Sequence, residues 1–467
     1  MRRASWLLTI ALLISAGTDA VAETLINTDT LRLTFDDAGN LKSAMACFPA
    51  CTGDNARVQQ FGDAGVISFE PAGGGRWEQG EGNTQTDYIL EFSNTSGAVL
   101  TWRIPFQGYR LELIQSGINR VMLQSGESFR PREAAGFGNW LEQSRYVVLH
   151  SGSAQQIAFE DTDVTESTFD QWAGYRNRYW TLMASPPSEV TAQLTTGEEA
   201  LDGAIGIDAG SGEWSFYLGP IEPKILKNAD AELSNLLYAG LWFWLRWICF
   251  ALFHLLAVIH MLIPSWGLAV MAMSLAVNIL MMPLSRIADR FQQQVNETEA
   301  RLAPELQRIK KNHKGEVQAA KILALYKTER VHPLYSLKSL MGVAVVIPVF
   351  IGAFDMLAEN IHLLHTGFLW ISDLSRPDDF FRLPFTLPFF GNELNLLPFL
   401  MTGLSLVASS LHNPLALNAE LRKKQVRNMI LLAVAFFVLF YTFPAGMVLY
   451  WTTNNLISVI KSLWARR

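Results

Sequence analysis

Apolar runs recur from Leu241 to Leu463, and a strongly basic stretch divides the first of them from the rest. A helix needs about 20 predominantly apolar residues to cross a hydrocarbon layer, so this pattern calls for a multi-pass membrane core. The segment from Ser285 to Pro333 holds Arg286, Arg290, Arg301, Arg308, Lys310, Lys311, Lys314, Lys321, Lys327 and Arg330. Lysine and arginine close to spans stay on the cytoplasmic side. If the chain arrives from the outer face, one crossing precedes that segment, from Ser265 to Leu284. Ser339 to Ile361 then runs outward, Leu394 to Leu411 inward, Met429 to Phe443 outward and Met447 to Leu463 inward, which makes five spanning helices. Arg422, Lys423, Lys424, Arg427, Arg466 and Arg467 fall in the cytoplasm on this count, and Asp373, Asp378 and Asp379 fall outside. Residues 241–262, with Arg246, His254 and His260 among Trp242, Trp244 and Trp247, read as an amphipathic helix lying in the outer interface.

The part before residue 221 is of another kind. Arg2 and Arg3, an apolar stretch from Ala4 to Gly17 and Ala20-Val21-Ala22 before Glu23 have the layout of a secretory signal, with an uncleaved anchor as the alternative for residues 1–22. Leu31, Leu33 and Phe35 alternate with Arg32 and Thr34, Asp37-Ala38-Gly39-Asn40 supplies a turn, and Leu41 resumes the alternation. Further turn signals at Gly73-Gly74-Gly75, Asn94-Thr95-Ser96-Gly97 and Ser211-Gly212 punctuate short strands, so residues 23–220 predict an exported β-sandwich. Cys47 and Cys51 lie in this exported part, where an oxidising compartment allows a small disulfide loop. A redox or metal pair is the other reading of that spacing, but no further Cys or nearby His completes a four-ligand site. Cys249 sits in an apolar helix and is expected to be inert.

Composition agrees with a membrane protein: half of the residues are hydrophobic, with 28 Phe and 14 Trp, more than a soluble domain usually carries. The net charge of −6 is a sum over two unlike halves and indicates no nucleic-acid partner.

Several segments, in order, resemble YidC-type insertases of the Oxa superfamily. They are Phe216-Tyr217-Leu218-Gly219-Pro220, Tyr238-Ala239-Gly240-Leu241-Trp242, Leu325-Tyr326-Lys327 with Val331-His332-Pro333, Ile347-Pro348-Val349-Phe350, Trp370-Ile371-Ser372-Asp373-Leu374-Ser375 with Asp378, and the run Phe443-Pro444-Ala445-Gly446-Met447-Val448-Leu449-Tyr450-Trp451-Thr452-Thr453-Asn454-Asn455. The resemblance implies a multi-pass α-helical membrane core with a cytoplasmic helical hairpin, carrying an N-terminal periplasmic β super-sandwich, in a bacterial inner membrane. The expected division is a signal at 1–22, the β domain at 23–220, a linker and interfacial helix at 221–262, and the core at 263–467 with its hairpin at 285–333. Leu302, Leu306 and Ile309, then Ile322, Leu323 and Leu325, lie on the two arms of that hairpin, separated by Asn312-His313-Lys314-Gly315.

Polar groups inside a span cost free energy unless they face protein or water. Ser274 and Asn278 are four residues apart and share a helix face, and the last span offers Tyr450, Thr453 and Asn454. The resemblance implies that these residues line a water-containing groove through which nascent membrane proteins enter the lipid, with no cofactor and no metal. Its implied partners are nascent membrane proteins and membrane lipids, and it leaves open a ribosome and a Sec-type translocon. The family's groove arginine aligns with Asn278 and a glutamine position with Val346, so the groove is expected to lack its fixed charge and to serve a narrower clientele. Arg246 is expected to snorkel from the interfacial helix and Lys338 to mark a span end. Met271, Met273, Met281 and Met282 read as packing or as an adaptable apolar slide.

No nucleophile elbow, phosphate-binding loop or metal quartet occurs, so an enzyme is not expected. His362 and His365 share a helix face on their spacing, without a third ligand. The alternative function is a membrane-anchored envelope-binding or specialised assembly protein whose sandwich holds a sugar or protein partner. Trp140, Trp172, Tyr175, Tyr179 and Trp180 form its aromatic cleft or, on the plainer reading, part of the core.

Overall fold

The computed structural model describes residues 23–464 apart from 54–55, 63–64, 127–128, 130–133, 151–152, 160–164, 197–202, 333, 336 and 412–418, and apart from the side chains of 165, 196, 289, 292, 337–343, 345 and 419–425. The signal segment 1–22, Pro333, Arg466 and Arg467 lie outside the described residues, as do the side chains of Lys338, Arg422, Lys423 and Lys424. The chain divides into two units. One comprises residues 1–129, 162–170 and 182–218, and the other 130–161, 171–181 and 219–467.

In chain order the strands are β1 (Thr24–Asn27), β2 (Leu31–Phe35), β3 (Leu41–Phe48), β4 (Arg57–Gly62), β5 (Ile67–Pro71), β6 (Trp77–Asn83), β7 (Asp87–Asn94), β8 (Val99–Pro105), β9 (Arg110–Ser116), β10 (Ile118–Gln124), β11 (Arg145–His150), β12 (Ser153–Ala158), β13 (Thr165–Phe169), β14 (Trp172–Arg176), β15 (Trp180–Ser185), β16 (Val190–Thr196), β17 (Gly203–Asp208) and β18 (Gly212–Pro220). In the first unit one sheet runs β1-β2-β3-β5-β10-β17-β16-β13 with β4 on β3, and the other runs β15-β18-β9-β8-β7-β6. Period-two alternation makes the sandwich. Leu31, Leu33 and Phe35 of β2 are fully buried while Arg32 is exposed, so one face of the strand leaves water. Trp102 of β8 joins the two sheets. It has no exposed surface, its ring lies 5.4 Å from Phe35 and 5.9 Å from Phe69 of the opposite sheet, and its indole N–H donates to Gly39 O at 3.0 Å. Gly39 has φ +78°, and a Cβ there would come within 2.8 Å of the Phe92 ring, so the Asp37–Asn40 turn accepts only glycine at this point. Cys47 and Cys51 form a disulfide at the end of β3.

The second unit contains the three-stranded order β12-β11-β14, the short helices α1 (Asn139–Glu142) and α2 (Pro223–Ala229), and then α3 (Phe243–Leu262), α4 (Trp266–Asn312), α5 (Gly315–Thr328), α6 (Leu337–Ala358), the hairpin β19 (Phe381–Leu387) and β20 (Gly391–Leu394), α7 (Leu396–Leu411), α8 (Ala419–Phe440) and α9 (Ala445–Trp464). Among the described residues α3 and α4 are long and apolar enough to cross a membrane, and Val346–Ala358, Leu396–Leu411 and Val426–Phe440 are shorter apolar stretches. Residues 243–262, read from sequence as interfacial, thus also satisfy the length and composition of a span.

The first expected span and the first hairpin arm are one uninterrupted helix, α4. It breaks at His313 and Lys314, where Gly315 takes φ +62°, and α5 returns so that Glu329 meets Arg301 at 3.7 Å. Trp266 at the start of α4 stacks between His260, at 3.7 Å, and His362, at 4.8 Å. His362 and His365 do not share a helix face: the chain after α6 turns through a 3₁₀ segment, Ile361–Leu363, stabilised by Asn360 accepting from His362 N, and His365 has φ +53°. Phe350, Phe440 and Trp451 pack α6, α8 and α9 together, with Phe350 and Trp451 4.7 Å apart. Trp172, Tyr175, Tyr179 and Trp180 are buried and therefore core, which leaves only Trp140 exposed, beneath the Arg145 guanidinium at 5.5 Å.

Loop residues 370–379 fix the ends of α7 and α9. Asp378 Oδ2 accepts from Leu396 N at 2.8 Å, Leu397 N at 3.0 Å and Trp370 Nε1 at 3.1 Å, so it caps α7 from 18 residues away. Burial pushes its carboxyl above the ordinary range, although these donors pull the other way. Asp373 Oδ1 accepts from His365 N and Ser375 N. Leu374 O and Arg376 O accept the first amides of α9, from Gly446 at 2.8 Å and Ala445 at 2.6 Å. A Cβ on Gly446 would sit 3.1 Å from Leu374 O, which explains the glycine of the Pro444-Ala445-Gly446 break.

Arg178 holds that loop against α6. It is buried and donates Nε to Ala358 O at 2.6 Å, the last carbonyl of α6, and Nη1 to Glu142 Oε1 at 2.7 Å and Ser375 O at 2.9 Å. Arg176 beside it donates to Leu236 O at 2.8 Å and to Glu359 at 3.1 Å. Two outcomes follow for thermal or denaturant unfolding of the purified protein. Arg178→Met strands Glu142 and two carbonyls and lowers stability by about 3–5 kcal/mol, whereas a loss under about 1 kcal/mol would show that the guanidinium is not a structural anchor. Trp102→Ala loses about 3–5 kcal/mol from the sandwich through cavity formation.

Candidate functional site

The apolar first part of α4 and the helix α9 each carry a small polar set. On α4, Ser274 and Asn278 are one turn apart. On α9, Tyr450, Thr453 and Asn454 fall within two turns, and the helix starts where the Gly446 amide is fixed by Leu374 O of the loop at residues 370–379. The two sets meet at Asn278 and Asn454. Asn278 Nδ2 donates to Asn454 Oδ1 at 2.7 Å and to Ser274 O, one turn back on its own helix, at 3.0 Å. Asn278 and Asn454 are half-buried, and Ser274 is fully buried with no hydrogen-bond partner for its Oγ among the described residues.

Thr453 and Tyr450 are placed differently. Thr453 is buried and returns its hydroxyl to Leu449 O of its own helix at 2.8 Å. Tyr450 is buried on α9, and among the described residues no hydrogen bond ties either of them to α4. Asn455 turns to another neighbour and donates to Met401 O of α7 at 2.9 Å, so the adjacent asparagines bond α9 to two helices in two directions. Of the candidate methionines, Met273 is fully buried, and Met271, Met281 and Met282 are half-buried. Arg246 donates to Ser234 O at 3.3 Å, away from the seam.

A lysine that the sequence reading did not single out, Lys461, reaches Asn278 from the exposed last turn of α9. Its Nζ donates to Asn278 Oδ1 at 2.9 Å. Asn278 therefore sits between a cation on one side and the Asn454 and Ser274 acceptors on the other, with its amide orientation fixed by all three contacts. Sequence reading missed Lys461 because a lysine in the last turn of a helix is expected to complement the helix dipole or to snorkel. Its spacing of seven residues from Asn454, which returns a side chain to the same helix face, was the available signal. Among the described residues no group of His, Cys, Asp and Glu side chains is arranged to hold a metal ion. The seam offers hydrogen-bond donors, acceptors and one ammonium, without a nucleophile and base in contact.

A family model described as 60Kd inner membrane protein matches residues 258–467, the stretch that contains the seam. The membrane protein insertase YidC of Syntrophobacter fumaroxidans is 27% identical over 394 residues, covering 77% of this chain and 67% of the relative. That of Janthinobacterium sp. is 29% identical over 408 residues, covering 82% and 70%, and that of Cellvibrio japonicus is 33% identical over 250 residues, covering 53% and 40%. Among solved structures, an active YidC insertase with its first transmembrane domain resolved is similar with a TM-score of 0.36 and 16% identity, covering 96% of this chain and 93% of that one. With the motifs of the last helix and of the loop at residues 370–379 in place, residues 258–467 match the 60Kd inner membrane protein family, and the chain is similar to YidC membrane protein insertases.

Proposed function

We propose that this protein is an inner-membrane insertase and membrane chaperone, and that the seam of Ser274, Asn278, Tyr450, Thr453 and Asn454 is where a nascent membrane protein enters the bilayer. The observation that carries the reading is the 2.7 Å hydrogen bond between Asn278 and Asn454 across two otherwise apolar helices. Polar pairing of this kind inside lipid is costly to maintain and marks a hydrated path. The relatives' description as membrane protein insertases supports it.

The physical task is to lower the barrier for polar residues that must cross. An aspartate carried through the centre of hydrocarbon costs about 2.5–3.5 kcal/mol. Asn278 lies about 18 Å along α4 from Trp266 at 1.5 Å per residue, more than halfway across a core of about 30 Å. A hydrated groove reaching that depth from the cytoplasm leaves only the outer part of the layer to be crossed in a low dielectric. Apolar segments then leave sideways, driven by about 25 cal/mol for each Å² of apolar surface transferred. No covalent step, nucleotide or metal enters this scheme.

The proposal includes five spans with residues 23–220 in the periplasm, the α4–α5 hairpin as the cytoplasmic receiving surface, and membrane lipids as the second partner. A ribosome and a Sec-type translocon are further partners that it accommodates. The envelope-binding alternative loses its aromatic cleft, since Trp172, Tyr175, Tyr179 and Trp180 are core. A photo-crosslinking residue at Ser274, at Tyr450 and at exposed Val258 tests the reading with ribosome-bound nascent membrane proteins. Crosslinks at the first two positions and not at the third are expected, and equal labelling at all three would remove the groove.

A further inference from the structure

The hairpin β19–β20 walls a cavity of about 700 Å³, which belongs wholly to the second unit and has the volume of a small-ligand site. Its other walls are the segment at Ala135 and Gly138, the loop at residues 370–379 and the turn into α9 at Thr442 and Pro444. None of its described lining residues belongs to the seam, and the proposed topology places it on the periplasmic side. Phe389 meets Phe137 edge-on at 5.0 Å, Phe390 meets Tyr441 at 5.0 Å, and Tyr441 donates its hydroxyl to Glu393 O at 3.0 Å, which holds the hairpin over the cavity.

Both signs of charge line this cavity, and they are incompletely matched. Glu142 pairs with Arg178 at 2.7 Å, Asp379 with Arg382 at 2.9 Å, and Arg376 lies 3.9 Å from Asp373. Glu393 is left to share Arg382, at 3.7 Å. Burial pushes its carboxyl above the ordinary range, nearby Asp379 adds to that, and Arg382 and Arg376 offset it in part. Arg178 Nη2 and Asp379 Oδ1 are buried with no hydrogen-bond partner among the described residues. The carboxylates are therefore short of a cation, and a guanidinium has a donor left for an anion. A ligand that answers both carries one group of each sign.

The same hairpin is apolar on its outside. Phe381 and Phe385 are each 58% exposed, and Phe380, Leu387 and Phe389 are exposed beside them. β20 ends at Leu394 and α7 starts at Leu396, with Phe399 and Leu400 exposed in its first five residues, so apolar side chains continue from the hairpin onto a helix proposed to meet lipid. Apolar surface beside a charged cavity fits an amphiphile seated at the boundary of headgroups and acyl chains.

We propose that this cavity binds the headgroup of an outer-leaflet phosphatidylethanolamine, with its phosphate towards Arg178 and Arg376, its ammonium towards Glu393 and Asp379, and its chains along the exposed phenylalanines of β19–β20. A primary ammonium donates three hydrogen bonds and a trimethylated one none, so the carboxylates select ethanolamine over choline. Guanidiniums fit phosphate oxygens in pairs, which serves any phospholipid. The inference rests on the membrane placement of the reading above and not on its seam.

The test is lipid retention by the full-length protein, stripped of lipid in detergent and given phosphatidylethanolamine, phosphatidylcholine or phosphatidylglycerol with the same chains, read by native mass spectrometry. Retention of the ethanolamine lipid is expected to exceed that of the other two about tenfold, as one charge-assisted hydrogen bond gives. Glu393→Gln is expected to bring it down to the choline level and to leave the choline lipid unchanged, which also shows that the cavity is intact. Arg376→Gln is expected to lower all three alike. Equal retention of the three lipids, or a preference that survives Glu393→Gln, would overturn the assignment. Displacement of the lipid by glycerophosphoethanolamine at the same concentration would show that the chains contribute nothing and that the ligand is a soluble one, which overturns it too. A photo-crosslinking residue at exposed Asn392 is expected to give a lipid adduct in cells, and a polypeptide adduct in its place would count against the proposal. None of these readings uses an insertion assay, so a failure here leaves the insertase reading standing, and a failure of the crosslinks at Ser274 and Tyr450 leaves this one.

Discussion

A guanidinium cannot give up its charge and cannot be left bare in a protein interior, so burying Arg178 obliges separate stretches of chain to come to it. Glu142 supplies a carboxylate, Ala358 the last carbonyl of α6, and Ser375 a carbonyl from the outer loop. That single constraint locates the loop, and the loop in turn locates the helices. Leu374 and Arg376 accept the first amides of α9, and Asp378 accepts those of α7. The outer-loop residues that look like a functional motif in sequence are thus a joint. They set where α7 and α9 begin, and thereby the height at which the polar residues of α9 face α4.

The seam shows how little polarity an apolar helix pair needs in order to be specific. One carboxamide on α4 meets one on α9, and a lysine from further along α9 completes the contact. Each group would be a liability in hydrocarbon by itself, because an unpaired polar atom costs more than a paired one returns. Together they hold one another, while among the described residues Ser274 Oγ is buried without a hydrogen-bond partner.

Two positions show where sequence reasoning succeeded and where it stopped. Leu31, Leu33 and Phe35 were legible as a half-buried strand because the period of two is a property of the strand itself, and the Gly39 turn follows from the backbone's need for positive φ. The polar residues of α4 and α9 were legible one helix at a time, since spacing by three, four and seven fixes a shared face. What spacing could not give was which of them meet. Asn278 was read as a lost charge because its own identity is neutral, and Lys461 was not singled out at all. The carboxylates of the outer loop were likewise visible as acidic residues outside the membrane, with nothing in their order to show that they cap helices 18 residues distant.

The sequence by itself therefore determined the two-part organisation, the sandwich alternation, the apolar helices with the basic stretch between them, and the faces on which polar residues gather, because each of these depends on periodicity and composition over a few neighbouring positions. Only the tertiary structure decided that Arg178 clamps the loop at residues 370–379, that α4 continues from the apolar stretch into the basic one without a break, that the two histidines after α6 part company, and that Lys461 donates to Asn278. Those are contacts between residues far apart in the chain, and their distances are set by how helices pack, which no local pattern encodes.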